Sequence, residues 1–200
     1  MNHLGHLFLA RSERRLMAGA FLGDFVKGTL KGERPAVVET GIKFHRSVDA
    51  FVDSHPTQRR SIDRFGSEFR RYGGIICDVV YDHFLAEHWA TFNDQEFLAF
   101  CEDAYQSILD EHLSLGTKAT RTIMRMKEFR SLESYRTEQY ISRSLTHIGQ
   151  RLKRDNPLHR AFGEFAAHRK ELEADFFDFM PATDRFAKDW LLANARQPPG

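Results

Sequence analysis

Two aspartates and two histidines lie close together between Asp78 and Trp89, and both residue types bind metals. The stretch has no Gly or Pro, and its apolar residues recur at helical spacing, so it is predicted to form a helix. Asp78 and Asp82 are four residues apart, which places both carboxylates on one helix face, where like charges repel by a few tenths of a kcal/mol. A cation would offset this repulsion, and His83 and His88 follow close behind. The pattern indicates either a divalent metal site or a solvated acidic face with two chance histidines.

Further acids and histidines occur earlier in the chain. Asp24 lies among apolar neighbours, His45 and Asp49 are four residues apart on one predicted helix face, and His6 lies in the first segment. Each of these alone is more often a structural residue than a ligand. Helical bundles, however, build metal sites from carboxylates and imidazoles that project inward from facing helices. Mixed His and Asp ligands favour Mn²⁺, Fe²⁺, Zn²⁺ or Mg²⁺ over metals that prefer thiolates.

A metal at these residues would suit the hydrolysis of a phosphate ester, because it polarises a phosphoryl oxygen and lowers the pKa of a bound water. Lys27, one turn after Asp24, and Arg46, beside His45, are suited to binding phosphate oxygens. The sequence contains no nucleophile elbow, no P-loop and no G-x-G-x-x-G motif. A covalent serine or cysteine mechanism and a nucleotide-binding fold therefore lack support.

Length and composition predict one globular domain. The 200 residues are 42% apolar and 28% charged, which is typical of a protein with a substantial core. No apolar run approaches the roughly 20 residues that span a bilayer, and the N-terminal segment soon meets charged residues, so neither a membrane partner nor a signal peptide is expected. Two cysteines without metal-binding spacing predict buried thiols in a reducing cytoplasm. The net charge of +1 gives no reason to expect a nucleic-acid partner.

The elements that must position these residues are predicted to be helices, because the chain shows no run of alternating residues typical of a strand. We therefore predict an all-α protein with a single domain over residues 1–196 and a frayed tail over residues 197–200. Gly19 and Gly23 fall inside a predicted helix, where close approach of another backbone would explain both. A long amphipathic helix in the last third is expected to end at Pro181, which lacks the backbone N–H that a helix requires.

Four segments carry most of these residues, in order and at distinctive spacing. They are Asn2-His3-Leu4-Gly5-His6-Leu7, Gly23-Asp24-Phe25-Val26-Lys27-Gly28, Gly41 through His45-Arg46 to Asp49, and Asp78 through Asp82-His83 to Trp89. Together they resemble the bacterial acyl carrier protein phosphodiesterase family, also called ACP hydrolyases. This family is regarded as an unconventional branch of the HD phosphohydrolase superfamily.

The resemblance implies an all-helical, HD-phosphohydrolase-like domain that depends on a divalent metal, Mn²⁺ first, with Mg²⁺ or Fe²⁺ as alternatives. It implies hydrolysis of the phosphodiester that joins 4′-phosphopantetheine to a serine of holo-acyl carrier protein. The products are apo-acyl carrier protein and 4′-phosphopantetheine. The role expected from the resemblance is prosthetic-group turnover in fatty acid biosynthesis, in the cytoplasm.

Site residues are assigned by combining this resemblance with the chemistry of each side chain. The sequence has no forward His-Asp dipeptide, and its nearest equivalent is the reversed Asp82-His83. The expected metal ligands are Asp24, His45, Asp78 and Asp82. The expected catalytic residues are His6, Asp49 and His83.

The implied substrate is a small, strongly acidic protein, so a positive docking surface is expected. Residues 121–154 carry nine Lys and Arg against three Glu, a net charge of +6. The expected substrate-binding residues are Lys27, Arg46, Arg59, Arg60 and Arg64. Arg121, Arg125 and Lys127 form a second possible docking surface, and a solvated arginine-rich helix face is the alternative explanation for either group.

Two other functions fit the same residues. The first keeps the phosphohydrolase chemistry but acts on a nucleotide or another small phosphoester, and it should not require the distal arginines. The second is a non-catalytic helical binding protein. Such a protein should bind no stoichiometric metal and should keep its thermal stability in EDTA.

Overall fold

The computed structural model describes residues 1–194, and these residues are helical almost throughout. They contain no β-strand, which confirms the all-α prediction. Their α-helices are, in chain order, α1 (His3–Leu9), α2 (Arg14–Leu22), α3 (Ala36–Ser54), α4 (Pro56–Arg64), α5 (Ser67–Arg70), α6 (Gly73–Glu87), α7 (Trp89–Phe92), α8 (Phe97–Asp110), α9 (Thr117–Glu128), α10 (Ser131–Ser134), α11 (Glu138–Arg151), α12 (Ala161–Ala167) and α13 (Arg169–Asn194). Short 3₁₀ helices lie at His112–Ser114 and Leu158–Arg160. The predicted tail, residues 197–200, lies outside the described residues.

Helix α6 lies at the centre of a single apolar core that connects the helices into one domain. Every residue from Val79 to Ala86 is buried, and α6 packs against α1, α4, α11 and α13. A helix covered on all sides needs no polar face, which explains the near-continuous apolar sequence of α6. Among the described helices, none is both long and apolar enough to cross a bilayer.

Helices α2 and α3 pack with their backbones in contact. A Cβ atom added at Gly19 would lie 2.7 Å from Gly41 Cα and would also clash with the carbonyl oxygen of Val38. This is the close backbone approach that was predicted for Gly19. The contact holds the end of α2 beside the middle of α3, and these two places carry Asp24 and His45.

The prediction that Pro181 ends a helix is wrong, because α13 continues through it. Pro181 is exposed, so water can satisfy the carbonyl that loses its helical donor. Phe179 and Ala187, on either side of the proline, are fully buried against the core. Burial of this face outweighs the roughly 3 kcal/mol that an interior proline costs a helix. The last third of the chain does contain a break between two helices, but it lies at His168, between α12 and α13.

Candidate metal centre

Helices α1 and α3 bring three metal-binding side chains together. His6 Nε2 lies 3.0 Å from Asp49 Oδ1, and His45 Nε2 lies 3.1 Å from Asp49 Oδ2. The two imidazole rings stack with their centroids 3.9 Å apart. One nitrogen from each ring and one Asp49 oxygen lie within 4.8 Å of one another, a spacing that suits ligands of one metal ion. We call His6, His45 and Asp49 the histidine–aspartate cluster.

Asp24 and His3 extend this cluster toward the surface. Asp24 lies in the turn after α2, with its Oδ1 atom 3.9 Å from His45 Nε2 and its Oδ2 atom 3.4 Å from His3 Nδ1. The Asp24 side chain is 47% exposed, whereas that of His45 is 5% exposed. The cluster therefore has a buried side, formed by the imidazoles of His6 and His45, and an open side, formed by the carboxylates of Asp24 and Asp49.

A glycine makes room for one of the imidazoles. A Cβ atom at Gly23 would overlap the ring of His45. Gly23 was predicted to face another backbone, as Gly19 does, but its neighbour is this side chain. Glycine at position 23 therefore makes room for the imidazole of His45 and not for another helix backbone.

Burial and the contacts among its side chains together set the protonation state of the cluster. Burial lowers the pKa of His6 to about 4, and the charge of His45 adds to this shift. Burial would raise the pKa of Asp49, but its contacts with His45 and His6 outweigh that effect and lower the pKa well below its usual range. At pH 7 His6 is therefore neutral and Asp49 is ionised, and these are the states that bind a metal.

Several nitrogens of the cluster are buried without a hydrogen-bond partner. Among the described residues, neither ring nitrogen of His6 has a partner, and neither does Nδ1 of His45. The 3.0 Å contact of His6 Nε2 with Asp49 lacks the direction of a hydrogen bond. Because buried polar atoms are normally satisfied, these nitrogens indicate a further bound group. Two imidazoles and neighbouring carboxylates are a donor set that fits a divalent metal.

Asp82 and Asp78, the other two expected ligands, have different partners. Asp82 is fully buried and accepts hydrogen bonds from the backbone N–H groups of Leu4 (2.8 Å) and Gly5 (3.1 Å), and burial raises its pKa to about 7. Asp78 forms an ion pair of 2.8 Å with the N-terminal ammonium of Met1. Both acids therefore hold the start of α1, the helix that carries His6, and the structure does not bring them into the histidine–aspartate cluster.

His83 also has partners of its own. Its Nδ1 atom lies 2.7 Å from the carbonyl oxygen of Tyr135, and its Nε2 atom lies 3.5 Å from a Glu87 oxygen. The structure gives it no contact with the histidine–aspartate cluster. Its described contacts are those of a buried histidine that joins α6 to the segment before α11.

A second group of side chains that could bind a metal ion consists of Glu87, His88 and Glu173. Arg169 donates to both oxygens of Glu87 (2.7 and 2.8 Å) and to Glu173 (3.1 Å). His88 Nε2 lies 2.6 Å from the other Glu173 oxygen. Because a guanidinium already neutralises these acids, the group is better described as an ion-pair network than as a metal site.

The arginines expected on α4 are mostly engaged in ion pairs. Arg60 contacts the buried carboxylate of Asp175 (2.6 Å) and also Asp178 (2.6 Å), and Arg64 contacts Asp175 at 2.8 Å. Arg59 is exposed, and no acidic side chain lies within 4.0 Å of it among the described residues. Arg60 and Arg64 thus join α4 to α13.

The basic helices α9 and α11 are different. Within the described part of the chain, Arg121, Arg125 and Arg151 have no acidic side chain within 4.0 Å. Lys127, by contrast, is paired with Glu102 at 2.7 Å. Unpaired guanidinium groups on neighbouring helices leave this surface with a net positive charge that an acidic partner could neutralise.

Near the cluster, Arg46 donates a hydrogen bond of 3.0 Å to the carbonyl oxygen of Val26, which fixes its guanidinium beside the turn that follows α2. Lys27 is exposed in the same turn region. The sequence-based assignment missed His3. The signal was present, because His3 and His6 are three residues apart and therefore lie on neighbouring turns of one helix face.

Comparison with known proteins gives a consistent result. The family model "Acyl carrier protein phosphodiesterase" matches residues 1–183. Proteins named acyl carrier protein phosphodiesterase are similar over nearly their whole length: one from Serratia proteamaculans (35% identity; 96% of this chain, 100% of the relative), one from Klebsiella pneumoniae strain 342 (30%; 96% and 100%) and one from Escherichia coli O139:H28 (31%; 90% and 94%). No solved structure matches the chain. The resemblance is therefore confirmed, and the chain belongs to the acyl carrier protein phosphodiesterase family of enzymes.

Proposed function

We propose that this protein is a metal-dependent phosphodiesterase that acts on holo-acyl carrier protein. Water cleaves the phosphodiester between the carrier-protein serine and 4′-phosphopantetheine, and the products are apo-acyl carrier protein and 4′-phosphopantetheine. The observation that carries the proposal is the convergence of His6, His45 and Asp49, with buried unpartnered nitrogens, in a chain of this family. The names of the relatives support the substrate.

The metal would be held by the histidine–aspartate cluster, with Asp24 on its open side. A divalent metal polarises a phosphoryl oxygen and lowers the pKa of water, which are the two needs of phosphodiester hydrolysis. We propose Mn²⁺, with Mg²⁺ and Fe²⁺ as alternatives that accept similar oxygen and nitrogen ligands. Asp78 and Asp82 support this centre indirectly, because they position α1.

The chain's own residues prepare the site for an anionic substrate. His6 is kept neutral by burial, so its nitrogen lone pair is available at pH 7. Asp49 contacts both imidazoles and thereby orients the two rings. Asp24 and Asp49 are each about half exposed, so an incoming substrate can reach both acids.

Two cations are associated with the segment that follows Asp24: Lys27 lies three residues after it, and Arg46 contacts the backbone of Val26, two residues after it. Lys27 is exposed in the turn region after α2, and Arg46 is held in place by the carbonyl oxygen of Val26. We propose that they bind the non-bridging oxygens of the phosphodiester, because charge-assisted hydrogen bonds to phosphate are strong and directional.

The acidic surface of the carrier protein would dock on α9 and α11, whose arginines lack acidic partners among the described residues. The docking role expected for Arg59, Arg60 and Arg64 stays a prediction. The ion pairs of Arg60 and Arg64 with Asp175 make them less available than the arginines of α9 and α11. The relation to HD phosphohydrolases and the cytoplasmic location also stay predictions.

Incubation with purified holo-acyl carrier protein and Mn²⁺, followed by intact-protein mass spectrometry, tests the proposed function. The carrier protein should lose the mass of one 4′-phosphopantetheine, and EDTA should prevent the loss. An unchanged mass despite bound metal would redirect the search to small phosphoesters. An unchanged mass without bound metal would favour a helical binding protein.

A further inference from the structure

A cleft of about 540 Å³ lies between α9 and α11, with the start of α1 at one end. Its volume falls in the range of about 300–1,000 Å³ that is usual for small-molecule sites. The residues that give it chemical character are His3, Arg125, Phe129, Tyr140, Ser144 and Arg151. None of these belongs to the histidine–aspartate cluster.

The cleft is continuous with the candidate metal centre through His3. This residue lines the cleft and also lies 3.4 Å from Asp24, which in turn lies 3.9 Å from His45. Arg151, the last residue of α11, lines the same cleft as His3. A molecule in the cleft could therefore extend one end to Asp24 while the rest stays between the helices.

The walls of the cleft combine apolar and hydrogen-bonding groups. Phe129 is 63% exposed, an unusual position for a phenylalanine, and Arg125 lies over its ring. The hydroxyl groups of Ser131 and Ser144 lie beside that of Tyr140. A flexible chain of methylene, amide and hydroxyl groups can use both kinds of wall along its length.

The charge of the cleft suits a ligand that carries an anionic group. Arg125 and Arg151 have no acidic side chain within 4.0 Å among the described residues. Guanidinium groups that are not neutralised by the protein itself bind phosphate well. The cleft thus offers positive charge that the described residues do not neutralise, together with a mixed polar and apolar lining.

We infer that this cleft binds the pantetheine arm of the substrate, with the phosphate end beside His3 and Asp24 and the thiol end toward α9. The inference rests on the proposed function, since that function supplies the 4′-phosphopantetheine group. It adds a binding site for the arm that is separate from the metal ligands.

The test uses pantetheine, which lacks the phosphate, as an NMR probe of the full chain. Ser144→Trp should fill the cleft, because Ser144 lines it and is only partly buried. Gln139→Trp is the matched control, because Gln139 is exposed on the same helix and does not line the cleft. Wild type and the control should bind pantetheine through amides of α9 and α11, and Ser144→Trp should weaken binding at least tenfold.

A second variant guards against misfolding. Arg151→Ala should bind pantetheine as wild type does but should bind 4′-phosphopantetheine more weakly, because only the phosphate contacts the guanidinium. Circular dichroism should show wild-type helicity for each variant. Equal pantetheine binding by wild type and Ser144→Trp, or no pantetheine binding by wild type, would overturn the inference.

Pantetheine binding in the cleft and hydrolysis of the carrier protein can fail independently of each other. If wild type and Ser144→Trp hydrolyse holo-acyl carrier protein with the same KM, the function stands and the cleft is not the arm site. If pantetheine binds in the cleft but wild type leaves the carrier protein intact, the cleft stands as a binding site and the hydrolase proposal fails.

Discussion

At the scale of single residues, the candidate metal centre depends on how closely two imidazoles approach one carboxylate. His6 and His45 stack face to face and both contact Asp49, an arrangement that leaves buried nitrogens without partners. Burying such groups is costly unless something satisfies them. A bound divalent cation would satisfy these nitrogens. The metal-free cluster should therefore be less stable than the metal-bound one.

Gly23→Ala tests the space that His45 requires. The new Cβ would overlap the imidazole ring, so the ring must move and the cluster must lose its geometry. We expect a loss of about 1–3 kcal/mol in the free energy of unfolding, as for other overpacked sites, and at least tenfold weaker binding of Mn²⁺. Gly163→Ala is the control, because a Cβ there meets open space. Wild-type Mn²⁺ affinity in Gly23→Ala would show that His45 is not a ligand.

His83 provides a pH prediction that is independent of the metal centre. Burial lowers its pKa below 6.5, so the unfolded chain binds the proton more readily than the folded chain. The free energy of unfolding should therefore fall as the pH drops below about 6.5. His83→Gln should reduce this fall and His159→Gln, at an exposed position, should not. Urea titrations at about pH 7.5 and about pH 5.5 measure this fall in the free energy of unfolding. A fall in His83→Gln equal to that of wild type would contradict the prediction.

At the scale of elements, the position of α1 depends on contacts with other helices. A seven-residue helix is too short to be stable alone, and its first N–H groups need acceptors from outside. Asp82, on α6, accepts two of them, and this contact places His6 opposite His45. The central helix α6 therefore supports the candidate metal centre through α1.

Asp82→Ala should separate this supporting role from the ligand role that the sequence predicted. Two buried N–H groups lose their acceptor, so we expect a loss of about 2–4 kcal/mol in the free energy of unfolding by urea titration. Asp94→Ala, at an exposed position, should have little effect. The folded variant should still bind Mn²⁺ at saturating concentration. Complete loss of Mn²⁺ binding from a folded Asp82→Ala protein would identify Asp82 as a ligand.

The sequence predicted the helical elements better than their ends and partners. Apolar residues at helical spacing form one face of a helix that can be buried, so their periodicity predicts helices. The all-α prediction is confirmed. The prediction at Pro181 was wrong because packing on both sides of the proline outweighs its local cost. Residue type likewise identified Asp78 and Asp82 as acids that need partners, but spacing within one helix does not reveal which other helix supplies them.

At the scale of the whole molecule, positive charge is concentrated where the ion pairs of the fold leave it unbalanced. Arg60 and Arg64 have the same residue type as Arg121, but they are joined to Asp175. The net charge of a sequence window cannot distinguish paired from unpaired arginines, because Asp175 lies more than a hundred residues from Arg60 and Arg64. The basic surface of α9 and α11 could be predicted only as a possibility.

Charge reversal on this surface tests docking of an acidic partner. The double variant Arg121→Glu with Arg143→Glu changes exposed residues on α9 and α11 that do not line the cleft. We expect a higher KM for holo-acyl carrier protein at low salt and a nearly unchanged kcat, because docking is separate from chemistry. Lys170→Glu with Arg185→Glu, exposed on α13, is the matched control. Equal KM values for the two double variants would exclude this docking surface.

The most direct test of the metal centre is a titration of the metal-free protein with Mn²⁺, with bound metal counted at each step and hydrolysis of holo-acyl carrier protein followed in parallel. We predict that one Mn²⁺ binds per chain and that activity rises with its binding. Asp49→Asn should lose both, while Asp53→Asn, one turn further along α3 and exposed, should keep both. Unchanged Mn²⁺ binding and activity in Asp49→Asn would contradict a metal centre at His6, His45 and Asp49.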